Sequence, residues 1–294
     1  AEANLELVAD APLTQFNLDL VGMTVDRIFI DGVSATFERD GRELVITPAS
    51  TVPAGPVVTV KVEYRGTPEP IEDPAGPVPL GWRTEAWGTY VASEPLGAAT
   101  WFPANDHPTD KATFVIRVTV PEGQSAVGPG ILISETTTAT RTTYVWASTD
   151  PMATYLASVV TGDFAVITSD DTEPVIRHAL PTERANQLLP ALASTSEMLD
   201  EFESIFGPYP FESYGIVAIP DPLGYALENQ TLSLFDTEFL TLRRRTVENV
   251  LAHELAHQWF GNHVSPATWS DIWLNEGFAT WADHYWTELD GGTT

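Results

Sequence analysis

The sequence contains no cysteine, which excludes disulfide frameworks, thiol nucleophiles and cysteine-ligated metals together. Lysine is nearly absent too: Lys61 and Lys111 are the only two among 14 basic residues, against 41 acidic ones, for a net charge of −27. Phosphate backbones and anionic headgroups repel such a chain, so neither nucleic-acid binding nor membrane-surface binding is expected. No run of about 18 apolar residues occurs, so no membrane insertion is expected either. Ala1 opens the chain with no charged-then-apolar leader behind it, so any signal peptide is expected to be removed or to lie outside this stretch.

What is present is an apolar fraction of 43% in 294 residues, enough for a sizeable core and about two domains. Residues 1–180 read as β-structure. Asn17–Leu20, Val57–Tyr64, Thr113–Val120 and Thr142–Trp146 alternate or are β-branched, with turn signals between them at Asp31-Gly32, Asp40-Gly41, Pro121-Glu122-Gly123 and Gly128-Pro129-Gly130. The Pro-rich stretch 68–79 reads as a surface loop. From 181 to 294 the spacing becomes helical, over Thr182–Phe206, Thr246–Trp259 and Asn275–Leu289, with a strand over Tyr214–Ile219. The expected fold is multidomain α+β: a β-rich domain over 1–180, then an α+β domain over 181–294. Trp259, Trp269, Trp273, Trp281 and Trp286 are expected to form core around the last two helices.

Residues 253–257 read His-Glu-Leu-Ala-His. Positions i and i+4 of a helix share a face, so His253 and His257 can offer two imidazoles to one metal, with Glu254 one residue round the helix. Glu276 follows His257 after 18 intervening residues, at the start of the next predicted helix. Two imidazoles and a carboxylate leave one tetrahedral position open, the pattern of one catalytic Zn2+ per chain. Zinc lowers the pKa of water and polarises a carbonyl; Glu254 beside it is placed to act as general base, and the predicted reaction is amide hydrolysis. Asp283, seven residues beyond Glu276, is a candidate to hydrogen-bond a ligand histidine. Arg243-Arg244-Arg245 reads as a solvated helix start or as salt-bridge partners, not a phosphate site.

Beyond that motif, Trp101-Phe102-Pro103-Ala104-Asn105-Asp106-His107-Pro108, Asp110–Phe114, Pro151–Ala157 and Phe206–Phe211 resemble segments of the zinc aminopeptidases of the aminopeptidase N and leukotriene hydrolase type, gluzincin metallopeptidases. The resemblance runs from about residue 13 to the end. It implies a saddle-like β N-domain, a thermolysin-like catalytic domain, and peptide substrates with a free N-terminus. Tyr225-Ala226-Leu227-Glu228-Asn229 is similar to the family's Gly-x-Met-Glu-Asn signature, with Tyr for Gly and Leu for Met. That match implies a substrate-binding role for Ala226, Glu228 and Asn229, with Glu228 on the α-ammonium and Glu94 as its partner from the N-domain. Two carboxylates round one ammonium disfavour an internal peptide bond.

The family's transition-state tyrosine lies well downstream of the third ligand, whereas the chain stops 18 residues past Glu276. The resemblance therefore implies a piece truncated at both ends and inactive by itself. A thermolysin-like endopeptidase, sharing the ligands but with no use for Glu94 and Glu228, and a non-catalytic zinc-binding fragment are the rival readings. Secretion or a bacterial cell surface is the expected location, ahead of the cytoplasm, from the acidic surface and from short secreted bacterial relatives.

Overall fold

The computed structural model describes residues 1–73, 76, 78–169, 172–289 and 291. They divide into two compact units, the first comprising Ala1–Arg83 and Ser93–His107, the second Thr84–Ala92 and Pro108–Thr294.

The first unit is a six-stranded antiparallel sheet. Its strands are β1 (Glu2–Val8), β2 (Phe16–Asp19), β3 (Thr24–Ile30), β4 (Val33–Asp40), β5 (Glu43–Thr47) and β6 (Val57–Arg65), in the order β1-β6-β3-β4-β5-β2. Alternation fixes the register. On β6, Val58, Val60, Val62 and Tyr64 are buried while Val57 and Thr59 face outward, and Leu5 and Leu7 of β1 stand opposite Val60 and Val58. A one-residue slip would turn that apolar row to solvent. Asp31-Gly32 joins β3 to β4 with φ of 48° and 79°, the paired positive values of a tight hairpin turn. The expected loop over 68–79 has Ile71 and Leu80 paired at its base; Pro74, Ala75 and Pro77 lie outside the described residues.

After β7 (Gly81–Glu85), the second unit is built from β8 (Gly88–Ala92), β9 (Ala112–Pro121), β10 (Ser125–Val127), β11 (Ile131–Thr137), β12 (Arg141–Met152), β13 (Val160–Gly162), β14 (Phe164–Ser169), β15 (Val175–Pro181), β16 (Ser213–Tyr214), β17 (Ile216–Ile219) and β18 (Ser233–Asp236). Its helices are α1 (Ala185–Leu188), α2 (Thr195–Phe206), α3 (Arg244–Ala256) and α4 (Trp273–Leu289). A mixed sheet, β14-β15-β17-β18, forms its centre, with β15, β17 and β18 parallel. Both faces of this sheet are covered, so β17 and β18 are buried throughout. Ile216, Ala218 and Phe235 pack with Phe202, Leu251 and Leu255 of the helices; Val217, Ile219 and Leu234 pack with Trp146, Val160 and Leu227 on the other side. Each fully buried Phe or Leu here contributes about 1.5–3 kcal/mol.

Several expectations are corrected. The helix expected over 182–206 is broken: α1, a short 3-10 turn at Leu189–Leu192, then α2. Pro190 lies inside the turn and lacks the N–H that a continuous helix needs. The strand expected over 214–219 is interrupted at Gly215, where a Cβ would fall 1.6 Å from the Arg177 carbonyl oxygen. The second compact unit takes in the strands between residues 108 and 180, where Val127, Trp146 and Val160 share one core cluster with Ala179 and Val217. Of the five tryptophans, Trp259 and Trp286 are core and Trp269 is half-buried against Tyr155, but Trp273 and Trp281 are 64% and 49% exposed. With Phe206, Phe260, Leu274, Gly277 and Phe278 they line an apolar groove of about 510 Å³. No described helix is long and apolar enough to cross a membrane.

Candidate metal centre

α3 exists because Val247, Leu251 and Leu255, four residues apart, bury one face against the helical core. No side chain caps its N-terminus; instead Arg244 bonds Glu248 one turn on, Nε to Oε1 at 2.8 Å. The expected salt-bridge role of the arginine cluster is met there. α4 packs against α3 through Ala279, Ala282 and Trp286, and Glu276 and Asp283 stand beside that seam.

This packing brings the three expected ligands together. His253 Nε2 is 3.3 Å from one Glu276 oxygen and His257 Nε2 is 3.7 Å from the other. One donor atom from each of the three residues lies within 4.8 Å of the other two. Donors about 2.0–2.1 Å from a tetrahedral zinc stand about 3.3 Å apart, so a small closure of the existing arrangement makes a zinc site. The imidazoles are also oriented for it. His257 Nδ1 lies 3.0 Å from the Phe260 carbonyl oxygen, which can only accept, so Nδ1 carries the proton and Nε2 is left with its lone pair. Asp283 Oδ2 lies 3.5 Å from His253 Nδ1 and holds a proton on that nitrogen, which leaves Nε2 as the atom a metal would take. Nitrogen and oxygen donors with no sulfur suit zinc.

The charges explain why these groups converge. Burial lowers the affinity of His253 for a proton, but Asp283 and Glu276 outweigh it and hold the pKa at about 10. Burial raises Glu276, but its bond to His253 and the two imidazoles bring it below the ordinary carboxylate value. A proton and a metal ion compete for such a site, and the metal displaces the proton. Burial holds Glu254 well above the ordinary value; His253 opposes this, while Glu228 and Glu276 add to it.

Glu228 is 3% exposed, and its Oε1 has no hydrogen-bond partner among the described residues. A buried carboxylate oxygen left bare is costly unless a ligand satisfies it. Asn229 is buried and donates Nδ2 to the Leu156 carbonyl at 3.2 Å. Side chains alternate along this extended piece: Ala226 packs towards the helical cluster, and Leu227 towards the Trp146 cluster with Tyr225 alongside. The second unit thus holds His253, Glu254, His257, Glu276, Asp283, Ala226, Glu228 and Asn229, whereas Glu94 belongs to the first unit.

Three residues with clear functions escaped the sequence reading. Gln258 and Asn262 both donate side-chain amides to the Glu228 carbonyl, at 3.1 and 2.6 Å. Lys111 donates Nζ to the carbonyls of Asn262 and His263, at 2.6 and 2.9 Å, fixing the turn that follows the ligand helix. Its rarity in so lysine-poor a chain and its place in the family-like segment Asp110–Phe114 were the available signals.

Comparison with known proteins agrees with this geometry. Residues 4–156 match the Peptidase M1 N-terminal domain, and residues 190–293 the Peptidase family M1 domain. Aminopeptidase N of Acetobacter pasteurianus is 33% identical over 291 residues, 92% of this chain and 79% of that protein. Aminopeptidase M1 of Arabidopsis thaliana is 34% identical over 205 residues, 66% of this chain but 23% of that protein. The crystal structure of the M1 zinc metallopeptidase from Deinococcus radiodurans superposes with a TM-score of 0.90 at 33% identity, covering 99% of this chain and 66% of that one. The chain thus spans about a quarter to a third of the plant and archaeal relatives it matches. A β-rich N-terminal part followed by an α+β peptidase part, with the zinc donors on the second, identifies the chain as a member of peptidase family M1.

Proposed function

We propose that the protein is a zinc aminopeptidase that removes N-terminal residues from peptides. The observation that carries this reading is the pairing of a three-donor centre with a buried carboxylate, Glu228, whose free oxygen awaits a cation. His253, His257 and Glu276 hold the zinc, which supplies Lewis acidity to a carbonyl oxygen and acidity to water. Glu254 follows His253 directly on α3, and its carboxylate accepts a proton from the attacking water and returns it to the departing amine. Its burial keeps it a stronger base than an exposed carboxylate. Glu228 binds the α-ammonium of the substrate, which sets the scissile bond one residue from the chain end. An internal peptide bond would leave that carboxylate buried and unpaired.

The deciding experiment compares, on the full-length protein, a dipeptide amide with its N-acetyl form, alongside zinc analysis. We expect one zinc per chain and preference for the free amine of at least about a hundredfold. Equal cleavage of both would make the protein an endopeptidase; stoichiometric zinc with no cleavage would make it a binding module. Glu254→Gln is expected to keep its zinc and lose about 10²–10⁴-fold in kcat.

A further inference from the structure

The segment that carries Glu228 is a short loop with one strained residue. Leu227 and Leu234 exchange backbone hydrogen bonds of 3.0 and 2.7 Å, and the Leu232 N–H donates to the Asn229 carbonyl at 3.0 Å to close a turn. Thr231 occupies the third position of that turn with φ of 65°. Turns give that position to glycine or asparagine, and a β-branched residue there stays only where its surroundings hold it.

Gln258 does the holding. Its Oε1 accepts the Thr231 N–H at 2.9 Å, and its Nε2 donates to the Glu228 carbonyl at 3.1 Å and towards the Glu254 carbonyl at 3.4 Å. One planar amide therefore spans both ends of the loop 228–231 and reaches back to the residue that bears the base. Asn262 adds its donor to the same Glu228 carbonyl, and Thr231 Oγ1 accepts the Gly130 N–H at 2.7 Å. Gln258, Thr231 and Asn262 are fully buried, so water does not compete with these bonds.

The Glu228 carboxylate has an oxygen with no bond of its own to aim it. Its position is inherited from its backbone, and that backbone is tied to the residue immediately after the ligand His257. We propose that Gln258 is a positioning residue: it sets the distance between the amine-binding carboxylate and the metal centre, and so decides how well an N-terminal ammonium is held. This rests on the reading of Glu228 as the ammonium site.

The test is calorimetric titration of the zinc-loaded chain with L-leucine amide and with N-acetyl-L-leucine amide, in wild type, Gln258→Met, Asn262→Ala and Glu228→Gln. Gln258→Met keeps the volume and removes both halves of the clamp; Asn262→Ala, which removes a single donor, serves if the first variant does not fold. We expect Gln258→Met to lose about tenfold in affinity for the free amine, with the acetylated probe unchanged within about twofold. Asn262→Ala should shift the same ratio in the same direction. Added to Glu228→Gln, the Gln258 change should have no further effect on the ratio, because it acts through that carboxylate. If Gln258→Met weakens both probes alike, or neither, while Glu228→Gln abolishes the preference, positioning by Gln258 is refuted and the ammonium site stands. If Glu228→Gln leaves the preference intact, the ammonium site itself falls and this inference falls with it.

Discussion

His178 offers the sharpest quantitative check on the fold that carries the metal centre. It lies on β15 in the middle of the mixed sheet, 6% exposed, and its Nδ1 accepts the Ile216 N–H at 3.2 Å. That bond requires an unprotonated Nδ1, and burial together with the neighbouring Arg177 charge brings the pKa from 6.5 down to about 4. The unfolded chain binds this proton near pH 6.5 and the folded chain only near pH 4, so the stabilisation is complete above pH 6.5. It drains away as pH falls between those values. At 1.36 kcal/mol for each tenfold difference in proton affinity, the loss totals about 3 kcal/mol. Urea unfolding of wild type and His178→Asn should be followed from pH 7.5 to pH 4 with a chelator present, so that metal release does not contribute. The amide of asparagine can accept the same N–H but does not titrate. The many carboxylates are common to both proteins and cancel in the difference. The variant should be the less stable at pH 7.5, and the gap should close by about 3 kcal/mol on acidification. Parallel curves, or a His178 C2 proton titrating near 6.5 by NMR, would refute the assignment.

Two further outcomes follow from named contacts. Asp283→Asn keeps the shape of the partner of His253 but removes its charge, and zinc affinity measured by competition with a chelator should fall about 10–100-fold while the fold is retained. Gly215→Ala places a Cβ 1.6 Å from the Arg177 carbonyl oxygen, which only a backbone shift can relieve. Its urea midpoint should drop sharply, by more than the effect of about 1 kcal/mol typical of point substitutions.

The parts of the molecule that were legible in the sequence are those governed by local periodicity. The pattern in Val57–Tyr64 predicted a strand where β6 lies, and the i, i+4 spacing of His253 and His257 predicted two rings on one side of the helix, which the 4.7 Å between ring centroids confirms. Glu276 was readable because it opens the next helix at a plausible return distance. What periodicity leaves open is which face of an element meets another. Trp273 and Trp281 show a core-like spacing, yet they point away from the seam that Ala279, Ala282 and Trp286 make with α3. Gln258 was invisible for a related reason: it reads as one more polar residue after the motif, and its role exists only because residues 228–231 are folded back against it. The partner of His257 was hidden too, since it is a backbone carbonyl of Phe260 and not a side chain.

The scarcity of side-chain amines has a practical consequence. Lys61 sits in the first unit between Glu2 and Glu63, at 2.7 and 3.2 Å. The ammonium of Lys111 is committed to two backbone carbonyls of the turn that follows the metal helix. Both amines are thus held in the native state, Lys61 by two carboxylates that raise its pKa and Lys111 within the turn, so an acylating reagent should gain full access to Lys111 only when that turn opens. The rate at which Lys111 becomes modified then serves as a clock for opening of the turn behind the metal helix, readable by mass spectrometry without any engineered label.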